Sequence, residues 1–349
     1  MRNIAILYGG VSSEHDASLS SFANTFAALD RDRVRVTLTA YIGRDGRIHV
    51  DSDPAVRPES ELRALAVIDH AQLPAILKKG WTLSLLHGQN GEDGVIAGWA
   101  RTHGLPGSWG DVLGDALGMA KWASGPIAAE LMGADGTVPA TRLLRSRDLA
   151  RGHVDIDIDG PLVIKPGGSG ASIKTFKVSG WSPACLTLVA DVLTISPTAV
   201  VQECVTGREY SVGVVDLDDR VTALPVVRID AGDGHVFYDH AAKHQAGATR
   251  KVFEDDLTTR RLQRLSERLF IGLGGFGMAR LDFIVRPDGL PVYLETNTLP
   301  GLMKNSIYPA MLAHAGLTLT DLVESLFVAD ARRRVRELDV RFDYSIEEH

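Results

Sequence analysis

Ala279-Arg-Leu-Asp-Phe-Ile-Val-Arg-Pro-Asp-Gly-Leu-Pro-Val-Tyr-Leu-Glu-Thr-Asn-Thr-Leu-Pro-Gly301 reads as two short strands joined by a tight turn. Leu281, Phe283 and Val285 alternate with Arg280, Asp282 and Ile284, which gives the first strand an apolar face and a polar one. Val292, Tyr293 and Leu294 open the second strand. Between the two, Arg286-Pro-Asp-Gly289 carries turn residues that predict antiparallel pairing. Side chains two apart share a face, so Arg280 goes with Asp282 and Glu295 with Asn297. One hairpin face then holds two carboxylates, an amide oxygen and a guanidinium. Oxygen donors of this kind suit a hard cation, Mg²⁺ in particular, and such a cation can bridge the phosphates of a nucleotide. Pro300-Gly301 predicts a sharp turn whose N–H is a candidate oxyanion donor. A lone Asp–Arg pair would be ordinary solvated surface; four such groups, two on each side of a turn, are not.

The strings RLDF (280 to 283), YLETNTLPG (293 to 301) and NSIYP (305 to 309) resemble the last third of the D-alanine–D-alanine ligase branch of the ATP-grasp superfamily. The rest of the chain bears on that resemblance. Its 349 residues suffice for two or three domains, and 45% hydrophobic with 23% charged residues is the composition of an ordinary globular protein. A formal charge of -7 argues against a nucleic-acid partner, which would need a basic surface. Cys185 and Cys204 are too few for a disulfide framework and match no metal spacing. No secretory signal layout and no apolar run approaching ~18 residues is present, so a cytoplasmic setting without a membrane is expected.

Along the chain, Ile4-Ala-Ile-Leu-Tyr8 is an apolar strand, followed by Gly9-Gly10 and a helical pattern from Ala17, the first unit of a parallel sheet. Ser12 or Ser13 is placed to cap that helix, with Glu14 and Asp16 favoured in its first turn. Strands follow at Val34 to Tyr41 and Leu83 to Leu86, and Pro74 should interrupt the helical spacing of Leu62 to Leu77. His87-Gly-Gln-Asn-Gly-Glu-Asp-Gly94 is richer in glycine and hydrogen-bonding side chains than a turn needs. Val112, Ala116, Met119, Ala120 and Ala123 have the spacing of one linking helix, with Lys121 on it as a surface side chain. Leu162-Val-Ile-Lys165-Pro-Gly-Gly-Ser-Gly-Ala-Ser172 sets an ammonium beside several flexible backbone N–H groups, which is what gripping phosphates requires. Val200 to Val215 is a strand, a Thr-Gly turn and a strand. Asp230 to Gly247 is a polar loop long enough to close over a site.

The resemblance covers about residues 3 to 330. It implies an ATP-grasp fold, α/β at first and α+β in its C-terminal parts, with domains at 1–112, 113–203 and 204–349. The nucleotide would lie between the last two. It implies Glu14 on the first amino acid's amino group and His87 near the second substrate. ATP would be held by Lys121, Lys165 and Ser172 on its phosphates, by Glu203 and Cys204 at the hinge, by Glu209 on the ribose, and by Lys243 on the transferred phosphate. Asp282, Glu295 and Asn297 would hold Mg²⁺, or Mn²⁺ in its place. Arg280 and Gly301 would stabilise the oxyanion, with Ser306 and Ile307 at the second substrate's carboxylate. The implied reaction is ATP-dependent amide formation between two amino acids through an acyl phosphate, in a homodimer. Two positions depart from the usual pattern: Ala171 and His244 stand where a serine and a tyrosine link to the first-loop glutamate. A histidine there also resembles the relatives that make D-alanyl-D-lactate, which leaves a hydroxy-acid substrate or another amino-acid ligase of specialised metabolism open. A non-catalytic nucleotide-binding homologue would show damage at the metal hairpin, and the sequence shows none.

Overall fold

The computed structural model describes residues 1–151, 154–168, 174–217, 219–231 and 249–339. Its first sheet grows from the apolar run at the N-terminus. β1 (Arg2–Gly9) lies parallel to β2 (Val34–Ile42) on one side, while β3 (Ile48–Asp51) and β4 (Ala66–Ile68) extend that side antiparallel. β5 (Trp81–Ser84) lies parallel to β1 on the other side. Being central, β1 is covered on both faces, which is why its sequence is continuously apolar: Ile4, Ile6 and Tyr8 enter one core cluster, Ala5 and Leu7 another. The His15–Ala28 helix closes the first face, with Phe22 stacked on Tyr8 at 3.9 Å between ring centroids. Pro74 begins the Leu73–Leu77 helix instead of interrupting one, because a missing N–H costs nothing in a first helical turn.

The second sheet has the order β6-β9-β7-β8, all antiparallel: β6 (Thr141–Leu144), β7 (Leu162–Pro166), β8 (Phe176–Val178) and β9 (Ala199–Glu203). Leu162, Ile164 and Val201 pack on Cys185, Val189 and Val192 of the Cys185–Val192 helix. In the third sheet β10 (Arg208–Leu217) pairs with β11 (Arg220–Ala223), β12 (Val227–Ala231) and β14 (Met278–Val285). The edges are β13 (Thr249–Phe253) and β15 (Pro291–Asn297). One face of this sheet is closed by the Leu257–Gly272 helix, whose stripe of Leu262, Leu265, Leu269 and Phe270 meets Tyr210, Val212, Leu281, Phe283 and Tyr293. The other face carries Ser211, Arg280 and Asp282.

The expected single linking helix is two, Val112–Met119 and Lys121–Met132, broken at Ala120 with φ -88° and ψ 73°. Close packing accounts for the break: a Cβ on Gly118 would stand 2.8 Å from Thr298 Cγ2, so the first helix lies flush on the exit of the hairpin and the second must start in a new direction. Among the described residues no single helix is long and apolar enough to cross a bilayer.

The C-terminal helix, Leu319–Asp339, clamps the segment that leads into this pair. Asp330, 2% exposed, accepts Gly107 N–H at 3.0 Å and pairs with Arg333 at 3.1 Å, and Arg333 in turn donates to Gly110 O. Asp330→Ala leaves a buried N–H and a guanidinium without their acceptor and is expected to lower unfolding free energy by about 1–3 kcal/mol in urea titrations. Asp330→Asn, which still accepts from Gly107, should lose less.

Candidate active site

The hairpin forms as its sequence predicts, with Arg280 opposite Asn297 and Asp282 opposite Glu295. Its register slips by one residue after Asp282, a bulge on β15 that simple alternation does not foresee. The bulge sends Tyr293 to the apolar face, where its hydroxyl meets Thr296 Oγ1 at 2.8 Å, while Glu295 stays with Asp282. Arg280 grips Asp282 with two N–H groups, Nε at 2.9 Å and Nη2 at 2.8 Å, and Ser211 on β10 donates to the same carboxylate at 2.6 Å. Glu295 is held by Lys121 Nζ at 3.1 Å. That lysine is 8% exposed, the first residue of its helix, and not a surface side chain. Asn297 Oδ1 is buried with no hydrogen-bond partner among the described residues. An orphaned acceptor beside two carboxylates is an oxygen set that fits a hard divalent cation.

Downstream, the chain bends at Thr298 and Leu299, and Pro300-Gly301 makes no left-handed turn. The need for glycine at 301 is spatial: a Cβ would stand 3.2 Å from Ser306 Oγ and 3.3 Å from Met303 Cε. Ser306 is the N-cap residue of the Ile307–His314 helix, yet its hydroxyl makes no capping bond to it. Ile307, its first residue, is buried.

The loops after β1 and β5 meet at the carboxyl ends of those neighbouring strands, where parallel sheets place their ligands. Glu14 lies against Gly88, whose Cβ would be 3.1 Å from Glu14 Oε1. Ser12 does not cap the helix; it donates to His87 O at 2.6 Å and so ties the two loops, leaving Glu14 as N-cap. His87 is buried, 3.5 Å from Glu92 Oε1, and Glu92 Oε2 accepts Gly88 N–H at 3.0 Å. Sequence reading missed Ser21, whose hydroxyl touches His87 Nε2 at 2.9 Å and accepts Leu302 N–H at 3.2 Å, because nothing marks one helical serine among three. It missed Asp115 too. Burial holds that carboxyl well above the usual range, against the opposing hydrogen bond from Thr298.

A cavity of about 240 Å³ separates the second and third sheets, lined by Lys121, Trp122, Val138, Thr141, Gln202 and Leu294 among others. Lys165 is half-buried on β7 opposite Val200, on the face away from Leu162 and Ile164. Glu203 is committed as a side chain: Arg286 pairs with it at 2.8 Å and Ala140 N–H donates to it at 3.3 Å. Cys204 gives its N–H to Pro161 O at 2.8 Å. Glu209 shares its sheet face with Ser211 and lies opposite Ile284. Ala171, Ser172, Lys243 and His244 lie outside the described residues.

The family model described as D-ala D-ala ligase N-terminus matches residues 3–108, and D-ala D-ala ligase C-terminus matches 141–328. A D-alanine–D-alanine ligase of Leptospira biflexa is 31% identical over 345 residues, 91% of this chain and 96% of the relative. Among solved structures, the D-alanine–D-alanine ligase of Coxiella burnetii superposes with a TM-score of 0.80 at 23% identity, covering 97% of this chain and 98% of that one. The Bacillus anthracis enzyme complexed with ATP gives 0.73 at 22% identity, covering 97% and 100%.

Burial alone would pull the His87 imidazole down, but the Glu92 carboxylate, with Glu14 and the Leu299 backbone, outweighs it and raises the group above its ordinary 6.5. A raised value means that the protonated ring's contribution to stability is complete below 6.5 and is lost as pH climbs through the folded-state value. Thermal unfolding followed against pH should show stability falling across that window, and His87→Asn should flatten the fall.

Proposed function

Because the chain belongs to the D-alanine–D-alanine ligase family, with its ATP-grasp fold and its ATP-dependent, ADP-forming formation of a dipeptide bond, we propose that it joins two molecules of D-alanine. The observation that carries this reading is the hairpin: buried charges paired one to one, and one amide oxygen left unpaired between them. The relatives' named substrates favour a D-alanine acceptor over a hydroxy acid.

Asp282, Glu295 and Asn297 would hold Mg²⁺, or Mn²⁺, which when bound supplies neutralising charge to the phosphates of ATP. The residues do the rest by position. Lys121 and Lys165 bind phosphate oxygens in the gap between the second and third sheets, with Ser172 and Lys243 completing the set. Glu209 takes the ribose, and the hinge around Glu203 and Cys204 meets the adenine through backbone, since the Glu203 carboxylate is already paired. Glu14 holds the first D-alanine's ammonium, and His87 lies near the second substrate. The first carboxylate attacks the γ-phosphorus and the bond to ADP breaks, giving an acyl phosphate. The second D-alanine's amine, losing a proton, then attacks the acyl carbon. Arg280, fixed in plane by Asp282, and the Gly301 N–H stabilise the resulting oxyanion until phosphate leaves. Ser306 and the N-terminus of its helix at Ile307 take the second carboxylate, and His244 would act at the same site. This reading takes residues 1–112, 113–203 and 204–349 as three units in a cytoplasmic homodimer.

Incubation with ATP and single D- or L-amino acids or hydroxy acids, followed by product mass spectrometry, should give ADP and the D-alanine dipeptide as the main product. Strong turnover only with another pair would overturn the substrate assignment. Asn297→Ala separates metal binding from folding. Removal of an unsatisfied buried acceptor should leave the unfolding midpoint unchanged or higher. The Mg²⁺ concentration for half-maximal activity should rise by about tenfold or more, within the range for disturbed metal sites.

A further inference from the structure

We propose that Lys251 is a positioning residue of the second-substrate pocket and the source of that pocket's preference for a carboxylate over a neutral end group. Lys251 stands on the edge strand β13, opposite Ile229 of β12, and is half-buried. Its ammonium donates to two successive carbonyls, Asn305 O at 2.5 Å and Ser306 O at 3.1 Å. These carbonyls immediately precede the Ile307–His314 helix. Among the described residues the hydrogen bonds of Lys251 go to backbone carbonyls rather than to a carboxylate, and burial alone lowers its pKa. Among the described residues the charge is held by carbonyls and partly withdrawn from water, where a lysine usually has an acidic partner.

Two consequences follow from where that charge is fixed. By gathering both carbonyls, the ammonium sets the backbone angle at Ser306, so that the hydroxyl stays toward Gly301 and makes no cap on its own helix. It also adds a full positive charge to the partial one at the helix N-terminus. An anion reaching Ser306 Oγ and the first-turn N–H groups meets both; a carboxamide meets only the hydrogen bonds. Lys251 makes no contact with reacting atoms, so its effect belongs to binding and alignment of the second amino acid.

The inference rests on the reading that Ser306 meets the second substrate's carboxylate. D-alaninamide serves as a probe, because its amine can attack while its amide cannot be phosphorylated. Steady-state kinetics with the full chain, ATP and D-alanine as first substrate would compare D-alanine with D-alaninamide as the second. Lys251→Gln is the variant of choice: it keeps N–H donors for the two carbonyls and removes the charge. Lys251→Gln is expected to raise the second-site KM for D-alanine about tenfold, the size of one lost charge-assisted contact, with little change for D-alaninamide, so that the acid-to-amide preference collapses toward one. Lys251→Arg should restore the preference. Equal KM increases for both acceptors, or an unchanged preference, would overturn the inference and leave Lys251 a structural residue. A parallel Ser306→Ala variant keeps the two ideas apart. Its second-site KM unchanged would sink the pocket assignment itself, while an increase there with Lys251→Gln indistinguishable from wild type would sink only the role of Lys251.

Discussion

Pairing of buried charge on one sheet face is the constraint from which the rest of the architecture follows. Asp282 and Glu295 stand side by side on neighbouring strands, little exposed, where two like charges repel and water cannot screen them well. Each is compensated by a cation of different origin. Arg280 comes from two residues away on the same strand, but Lys121 comes from a helix that must start at the right spot and point the right way. The break at Ala120, the flush packing of Gly118 on Thr298 and the clamp by the C-terminal helix on the preceding segment all serve that placement. The hairpin alone supplies a cation for Asp282 but none for Glu295, whose partner the helix brings.

The hairpin was legible in the sequence because three independent signals agree there: alternation, turn chemistry and a cluster of ligand-type side chains. The parallel β1 was legible for the same reason, as a continuous apolar run ended by Gly9-Gly10. What escaped is what sequence encodes only through tertiary contact. The bulge at Leu294, in the middle of β15, has no glycine or proline at its position to announce it, although it decides that Tyr293 and Glu295 part company. Lys121 looked like surface because helical spacing runs straight through Ala120, and the reason it does not is a steric meeting with Thr298 nearly 180 positions away. Ser12 looked like a cap because its local spacing suits one; its hydroxyl is taken by His87 O instead.

Stability and function pull apart at Asn297. Arg280, Asp282, Glu295 and Ser211 have partners within the fold, and the Asn297 oxygen has none among the described residues. On the proposed reading, the partner of this oxygen is the cation. Glu203 shows the opposite situation. Its carboxylate, expected at a nucleotide site, is absorbed by Arg286 and Ala140 and knits the second sheet to the turn of the hairpin, so the chain there can offer its backbone only.

The Ser21 hydroxyl joins distant parts of the chain, touching His87 after the first sheet's last strand and accepting from the Leu302 amide beyond the hairpin. Asn24, one turn on, holds the Leu302 carbonyl as well. On the proposed reading, the walls facing the two substrates would then share one fastening. Drift in the chemistry of either amino acid would be transmitted to the other through this serine, so acceptor and donor preferences in such a protein would evolve as a linked pair rather than as separable traits.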